Sequence, residues 1–439
     1  MTKELNRRSF MGATAGAGAV MTGLSGSLLA RGRSLNDTLQ VAVLGPGGRG
    51  MYLLRKCLEH ADAYNARVTA VCEIWKRNQK IATNHLREHY GSETTLYHHI
   101  DDLLADDGID AVIIATADHQ HGKMLKMVAE AGKDAYCEKP MANVLSEAND
   151  ALDACRKAGT VVQIGTQGRS HPKCIAARRI MQDQLIGDVV RVSLVENEYS
   201  PYRWRRSPEQ LAECREEDLN WKEFLLGKPD RPFDPRIYRS FRLFKDFSSG
   251  IYDQWMSHDI DTLHYLTGEP YPLSARAEGG IYRYKDYREN PDTTEAVFEY
   301  GTGDKKFLAS YGCCLINGAG TGYIFQGTKG TLSFEKSPLF NEVPWRVSGD
   351  GIRGDEALKP GAKQMQGEYI AGEPGAMPNH RFPHMANWLD CVRRRDVDGI
   401  SCPPEAGYGH SIACIMATDS LWSGRKMIFD PDKRTITPA

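Results

Sequence analysis

The sequence predicts a two-domain protein of the α/β plus α+β class, a doubly wound parallel sheet followed by a domain with a predominantly antiparallel sheet. Three observations carry that expectation. An apolar run, Thr38 to Leu44, leads straight into Gly45-Pro46-Gly47-Gly48-Arg49-Gly50 and then into apolar residues at helical spacing. Strand-like and helix-like segments alternate from there to about residue 165, the order of a parallel sheet with helical crossovers. After Thr166 come short strand-like runs, among them Val189 to Val195, Ala296 to Tyr300 and Lys306 to Tyr311. At 439 residues the chain is also long for one core.

The expected boundaries are 1–35 for a leader, 36–165 for the first domain and 166–439 for the second. The leader reads Asn6-Arg7-Arg8-Ser9-Phe10-Met11-Gly12, then a weakly apolar Gly/Ala stretch from Ala13 to Ala30. Paired arginines, a phenylalanine two positions on and a soft apolar segment form the pattern of a twin-arginine export signal, which stands outside the fold. Its glycines, and Arg31 and Arg33 just after it, argue against a membrane anchor. The expectation is a periplasmic protein with no membrane span once the signal is removed.

The composition is globular, 41% hydrophobic and 26% charged, with a net charge of -2. That balance offers no basic surface for nucleic acid. Eleven cysteines are scattered without a Cys-x-x-Cys pair, and Cys72, Cys137 and Cys414 sit in apolar runs as small core residues. His380 and His384 stand four apart, but no third ligand has a convincing spacing, so no metal is expected.

In the first domain, the run ending at Leu44 reads as a strand buried on both faces. Gly45 then permits a tight turn, Gly47 lets backbone approach a pyrophosphate, and Gly50 lets helix pack on strand, with Gly48 and Arg49 completing a dinucleotide cradle. The helix N-terminus offers unpaired N–H groups to the phosphates. A second strand, Arg67 to Cys72, ends at Glu73, about 20 residues past the loop, where a carboxylate holds ribose hydroxyls and repels a 2′-phosphate. NAD is therefore expected over NADP, with Lys76 and Arg77 as the cations that keep NADP open. A further buried strand, Asp110 to Thr116, runs into Ala117-Asp118-His119-Gln120-His121, and a helix spans about Gly122 to Ala131. Lys133 to Cys137 then leads to Glu138-Lys139-Pro140. Thr116, His121, Glu138 and Lys139 fall at carboxyl ends of strands, where doubly wound sheets bind ligands.

Thr116-x-Asp118-x-x-His121, Ala131-Gly132-Lys133 and Glu138-Lys139-Pro140 resemble the glucose–fructose oxidoreductase / inositol dehydrogenase / MocA family. The resemblance continues through Gln163-Ile164-Gly165-Thr166-Gln167 and Gly327-Thr328-Lys329-Gly330-Thr331, with Ala117 standing where many members have proline. It implies a Rossmann N-terminal domain, Gln167 at the cofactor, Lys139 as the group that handles the substrate proton and His258 as its assistant. It also implies an open sheet in the second domain, with helices on one face and the other free for homo-oligomer packing.

In the second domain, Tyr199 to Phe247 is rich in Arg, Trp, Tyr and Phe, and reads equally as an ordinary aromatic loop or as a sugar-binding wall. Downstream lies Tyr252-Asp253-Gln254-Trp255-Met256-Ser257-His258-Asp259-Ile260-Asp261. Dehydrogenases of the family place an aspartate four residues before the histidine, and Gln254 stands there in this chain. On a regular helix Gln254 and His258 share a face, whereas Asp253 lies roughly 140° away. Asp261, three residues after His258, can orient the ring. Lys139, His258, Gln254 and Asp261 are thus the candidate catalytic residues.

Oxidising a secondary alcohol requires a hydride acceptor and a base, and lysine serves near neutral pH only where burial or nearby positive charge lowers its pKa. The first reading is an exported NAD-dependent oxidoreductase acting on a sugar, sugar derivative or cyclitol, its tightly held cofactor recycled within one closed redox cycle. A second is glycoside cleavage by oxidation, elimination, water addition and re-reduction. A third is a non-catalytic sugar-binding protein that keeps the cradle as scaffold.

Overall fold

The computed structural model describes residues 37–335, 345–349 and 383–439, so the leader and His380 lie outside the described residues. The first domain holds strands β1 (Leu39–Leu44), β2 (Ala66–Cys72), β3 (Thr95–Tyr97), β4 (Ala111–Ile114), β5 (Asp134–Cys137) and β6 (Val162–Ile164). They form one parallel sheet in the order β3-β2-β1-β4-β5-β6. Every residue of β4 and β5 is buried, as required of strands covered by helices on both faces. Those helices are α1 (Gly48–Ala61), α2 (Lys76–Tyr90), α3 (Ile100–Ala105), α4 (His121–Glu130) and α5 (Leu145–Ala158). The order reverses between β1 and β4, which opens a crevice beyond their carboxyl ends.

The glycine loop closes onto that crevice by contact. Gly45 adopts φ +77, and a Cβ on Gly50 would lie 2.2 Å from Gly45 O. Gly48, by contrast, has nothing within 4 Å of the position its Cβ would take.

After α6 (Pro172–Gln182), the chain builds a nine-stranded sheet from β7 (Val189–Val195), β8 (Ser274–Gly280), β9 (Thr293–Tyr300), β10 (Phe307–Cys314), β11 (Gly322–Gly327), β12 (Thr331–Phe334), β13 (Trp345–Ser348), β14 (Met427–Asp430) and β15 (Thr435–Pro438). The order is β13-β12-β11-β7-β10-β9-β8-β14-β15, antiparallel throughout except for the β7–β10 pair. Short helices α7 (Pro208–Ala212), α8 (Trp221–Leu225) and α9 (Pro235–Arg239) lie in the β7–β8 connection, which ends in α10 (Ser257–Thr267). Helices α11 (Pro383–Arg394) and α12 (Pro404–Ser423) precede the last two strands. On the sheet's uncovered face Val297, Leu308 and Ile324 are 46%, 54% and 42% exposed.

The second half of the sequence does not pack only on itself. Met385, Trp388, Leu389 and Val392 of α11 share a core with Val41 of β1 and Leu53, Leu54 and Cys57 of α1. On the opposite side of the parallel sheet, Ala42, Leu44, Val112 and Ile114 belong to one continuous core with Ile260 of α10, Met416 of α12 and Phe298, Tyr311 and Phe325 of the second sheet. Apolar burial on both sides therefore fixes the crevice between the two sheets.

Gly50→Ala is expected to cost about 1–3 kcal/mol in equilibrium unfolding, because the added methyl must displace backbone. Gly48→Ala, at the open first helical position, is expected to stay within about 1 kcal/mol of the parent. Equal losses for the two would contradict the packing described.

Candidate active site

Two adjoining cavities fill the crevice. The larger, about 360 Å³, is bounded by the glycine loop, Glu73, Trp75 and Asn78 on one side and by Arg206, Tyr238, Arg239 and Arg242 on the other. The smaller, about 220 Å³, is lined by Thr116, Asp118, His121, Glu138, Lys139 and Gln167 from the first domain and its border, and by Arg242, Gln254 and His258 from the second. Arg49, Thr116 and Arg242 border both cavities.

The larger cavity has the features of a dinucleotide cradle. No side chain caps the N-terminus of α1 at Gly47, so its first N–H groups remain for a phosphate. Glu73, at the end of β2, accepts from the backbone N–H of Ile74 at 2.7 Å and Trp75 at 2.9 Å through Oε1, and from Asn78 at 3.2 Å through Oε2. Burial raises its pKa to about 7 against those hydrogen bonds. In either protonation state Oε2 retains capacity to bond a ribose hydroxyl. Lys76 turns to Glu217 O and Asp218, whereas Arg77 borders the cavity. Arg49 Nε donates to Glu138 Oε1 at 2.7 Å, tying the glycine loop to the Glu-Lys-Pro segment.

The smaller cavity is organised by Lys139. Residues Tyr252–Met256 form a π-helical turn at the entrance to α10, with Ser257 N–H donating to Tyr252 O five residues back. The widened turn presents two carbonyls to the first domain, and Lys139 Nζ donates to Asp253 O at 3.1 Å and Gln254 O at 2.6 Å. Burial lowers the lysine pKa, opposed by the Asp118 and Glu138 carboxylates and assisted by Arg242 and Arg49. A neutral amine has two N–H bonds and one lone pair. With both N–H bonds directed at these carbonyls, the lone pair remains for a substrate hydroxyl.

His258 stands one π-turn beyond Asp253 and borders the same cavity. Its Nδ1 is buried without a hydrogen-bond partner among the described residues. Burial first, then the charges of Lys139 and Arg49, hold its pKa well below the usual imidazole value, so the ring is neutral. Gln254 links Arg242 Nε, donating to its Oε1 at 2.6 Å, with Asp118 Oδ2, which accepts from its Nε2 at 2.5 Å. Asp253 is engaged elsewhere, its Oδ2 accepting from Ser249 N–H at 2.7 Å.

One expected catalytic residue does not belong to this group. Asp261 makes no hydrogen bond to His258. Both its oxygens accept from Arg169 Nε at 2.9 Å, and Oδ1 lies 3.8 Å from His410 Nδ1. The residue three positions on from His258 thus faces Arg169 and α12, not the imidazole. His121 borders the cavity, but Nδ1 meets Pro140 O at 2.8 Å and Nε2 meets Thr116 O at 3.3 Å, which makes it a strut under the Lys139 loop. Thr116 Oγ1 donates to Met124 Sδ at 3.3 Å, and Gln167 Nε2 to Tyr136 Oη at 3.3 Å. His384 meets Ser170 Oγ at 2.7 Å and Ile164 O at 2.8 Å, and no cluster of metal-ligating groups occurs among the described residues.

Sequence reasoning missed Asp118, Arg206 and Arg242. Asp118 sits in the very Thr-x-Asp-x-x-His segment that carried the resemblance. The two arginines lie in the aromatic stretch Tyr199 to Phe247. There Phe224, Phe247, Trp221 and Tyr238 pack on one another and on Ala117, so aromatics supply the body of a cover and arginines its cavity-facing side.

Residues 39–166 match the family described as oxidoreductase family, NAD-binding Rossmann fold, Gfo/Idh/MocA. That match spans the first domain. The chain is 31% identical over 160 residues to inositol 2-dehydrogenase 1 of Saccharopolyspora erythraea, covering 36% of this chain and 45% of that one. Inositol 2-dehydrogenase of Rhizobium meliloti is 27% identical over 317 residues, covering 72% and 80%. The chain spans less than half the length of several curated relatives it matches. The WlbA dehydrogenase of Chromobacterium violaceum, solved with NADH and UDP-GlcNAcA, shares the fold with a TM-score of 0.66 at 20% identity, covering 90% of this chain and 98% of that one.

Asp261→Asn leaves Arg169 as an uncompensated buried charge and is expected to cost about 3–5 kcal/mol of stability. Arg169 and His410 hold the Asp261 carboxyl well below its usual value against the burial that would raise it. The pair's contribution is therefore complete above the unfolded carboxyl pKa of about 3.9 and is lost as pH falls below it. Unfolding curves of the variant and parent at pH 7 and pH 3 check both statements.

Proposed function

We propose that this chain is an exported NAD-dependent oxidoreductase that transfers hydride between a tightly held nicotinamide cofactor and a CH–OH carbon of a sugar, sugar derivative or cyclitol. The observation that carries the reading is Lys139 Nζ, held by two carbonyls of the second domain at the meeting point of the dinucleotide cradle and a polar cavity. Gly45, Gly47, Gly48 and Gly50 with the α1 N-terminus would hold the pyrophosphate, Glu73 the ribose, and Thr116, His121, Glu138 and Gln167 the surroundings of the nicotinamide. When bound, that group supplies the hydride acceptor. Lys139 takes the hydroxyl proton, and the neutral His258 imidazole accepts from or donates to the same hydroxyl. Gln254, fixed between Arg242 and Asp118, narrows the space in which the reacting carbon sits.

Export rests on the twin-arginine pattern Arg7-Arg8-Ser9-Phe10, and no helix among the described residues is long and apolar enough to cross a membrane. Exchange of nucleotide is impractical outside the cytoplasm, so re-oxidation occurs at the same site. The exposed Val297, Leu308 and Ile324 support homo-oligomer packing through the uncovered sheet face.

Asp118 favours a second reading. Its carboxylate borders the cavity and gives a further proton-transfer group, as glycoside cleavage through a transient ketone requires. Turnover of an aryl glycoside without net NADH would select that reading.

The test is to release and identify the nucleotide from purified protein and to follow 340 nm absorbance across a sugar and cyclitol panel. Lys139→Met is expected to reduce kcat/KM by about 10²–10⁴-fold with the nucleotide retained. For alcohol oxidation kcat/KM should rise with pH through the lowered Lys139 pKa, since only the deprotonated amine accepts a proton, and ketone reduction should fall over the same range. Unchanged activity in Lys139→Met would remove the proton-transfer role from Lys139, and no turnover by the parent across the panel would leave only a sugar-binding scaffold.

A further inference from the structure

Five arginines border the larger cavity, and their partners divide them. Arg49 pairs with Glu138 at 2.7 Å, and Arg77 and Arg239 each approach Glu213 at 3.7 Å. Arg206 and Arg242 have no carboxylate within ion-pair distance among the described residues. Arg206 Nε donates to Arg239 O at 3.4 Å and Arg242 Nε to Gln254 Oε1 at 2.6 Å. Both guanidinium groups therefore keep their terminal nitrogens available while facing the cavity. The Arg242 guanidinium carbon lies over the Phe241 ring, 4.4 Å from its centroid.

We propose that Arg206 and Arg242 form an anion subsite for a carboxylate or phosphate carried by the substrate, so that the preferred substrates are acidic sugars rather than neutral ones. This rests on the oxidoreductase reading above and narrows it. A planar guanidinium presents paired donors that match carboxylate and phosphate oxygens, and two such forks bracket one anion. Burial lowers the pKa of each, with Arg239 adding for Arg206, while at Arg242 the Asp118 and Glu138 carboxylates oppose the shift and Arg206 adds to it. Arg206 borders the larger cavity alone, so it is Arg242 whose position sets the subsite apart from the cofactor's phosphates. The α1 N-terminus lies at the glycine loop, whereas Arg242 also borders the smaller cavity and bonds Gln254 beside His258 and Lys139.

The test uses the full chain loaded with NADH and measures binding by titration calorimetry with glucuronate, glucose 6-phosphate and glucose. At least one acidic sugar should bind at least about tenfold tighter than glucose, the scale of a hydrogen bond to a charged group. Arg206→Gln and Arg242→Gln should each remove most of that preference without loss of bound nucleotide. Equal affinity of all three sugars for the parent overturns the proposal without any variant being needed. A preference that survives both substitutions also overturns it, as does loss of nucleotide from Arg206→Gln with the preference intact, which would assign the arginines to the cofactor. Binding needs no turnover, so absence of hydride transfer would count against the oxidoreductase reading and leave this result standing.

Discussion

Lys139 Nζ sits between the carbonyl oxygens of Asp253 and Gln254, and this three-atom contact joins the two halves of the site. The lysine follows β5 in the parallel sheet, and the carbonyls come from a π-helical turn in the other domain. A regular α-helical turn would keep those carbonyls along the helix axis, engaged with N–H groups four residues on. A π-turn changes that register, which is why such turns recur at functional positions. In the deprotonated amine the same two acceptors engage both N–H bonds and leave one electron pair unengaged.

The contact is braced by buried polar and apolar neighbours on both sides. Arg169, Asp261 and His410 form a buried charged group behind α10, and His410 Nε2 accepts from Met141 N–H at 3.5 Å, two residues past Lys139. His121 meets Pro140 O from the other side. Around these polar ties runs an apolar core continuous from β1 and β4 to the second sheet. In the proposed function Lys139 and His258 would touch the reacting atoms, and Asp261 and His121 brace the segments that carry them.

Much of this was legible in the residues because it depends on local rules. Buried strands, the glycine loop and the carboxylate at the end of β2 follow from periodicity and backbone sterics, which read over a few neighbouring positions. The π-turn did not follow, since the residues Tyr252 to Met256 carry no local signal for it and a regular helix was the default. That default also misassigned Asp261: spacing of three puts it near His258 on the helix surface, but a buried arginine 92 positions earlier in sequence claims it. Arg206 and Arg242 were hidden among aromatic residues whose packing only the tertiary structure reveals. The return of α11 to the first domain was likewise invisible, because amphipathic residues such as Trp388 and Leu389 do not name their partner.

The central claim is that the assembled crevice makes the Lys139 amine easier to deprotonate than an ordinary lysine. Carbon-13 labelling at lysine Cε, with NMR titration of the nucleotide-loaded protein, reads this directly. One resonance, absent from Lys139→Met, should titrate below the ordinary lysine value of about 10.4. A Lys139 resonance titrating at or above that value would contradict the claim, because the ammonium could then do no more than pin two domains together.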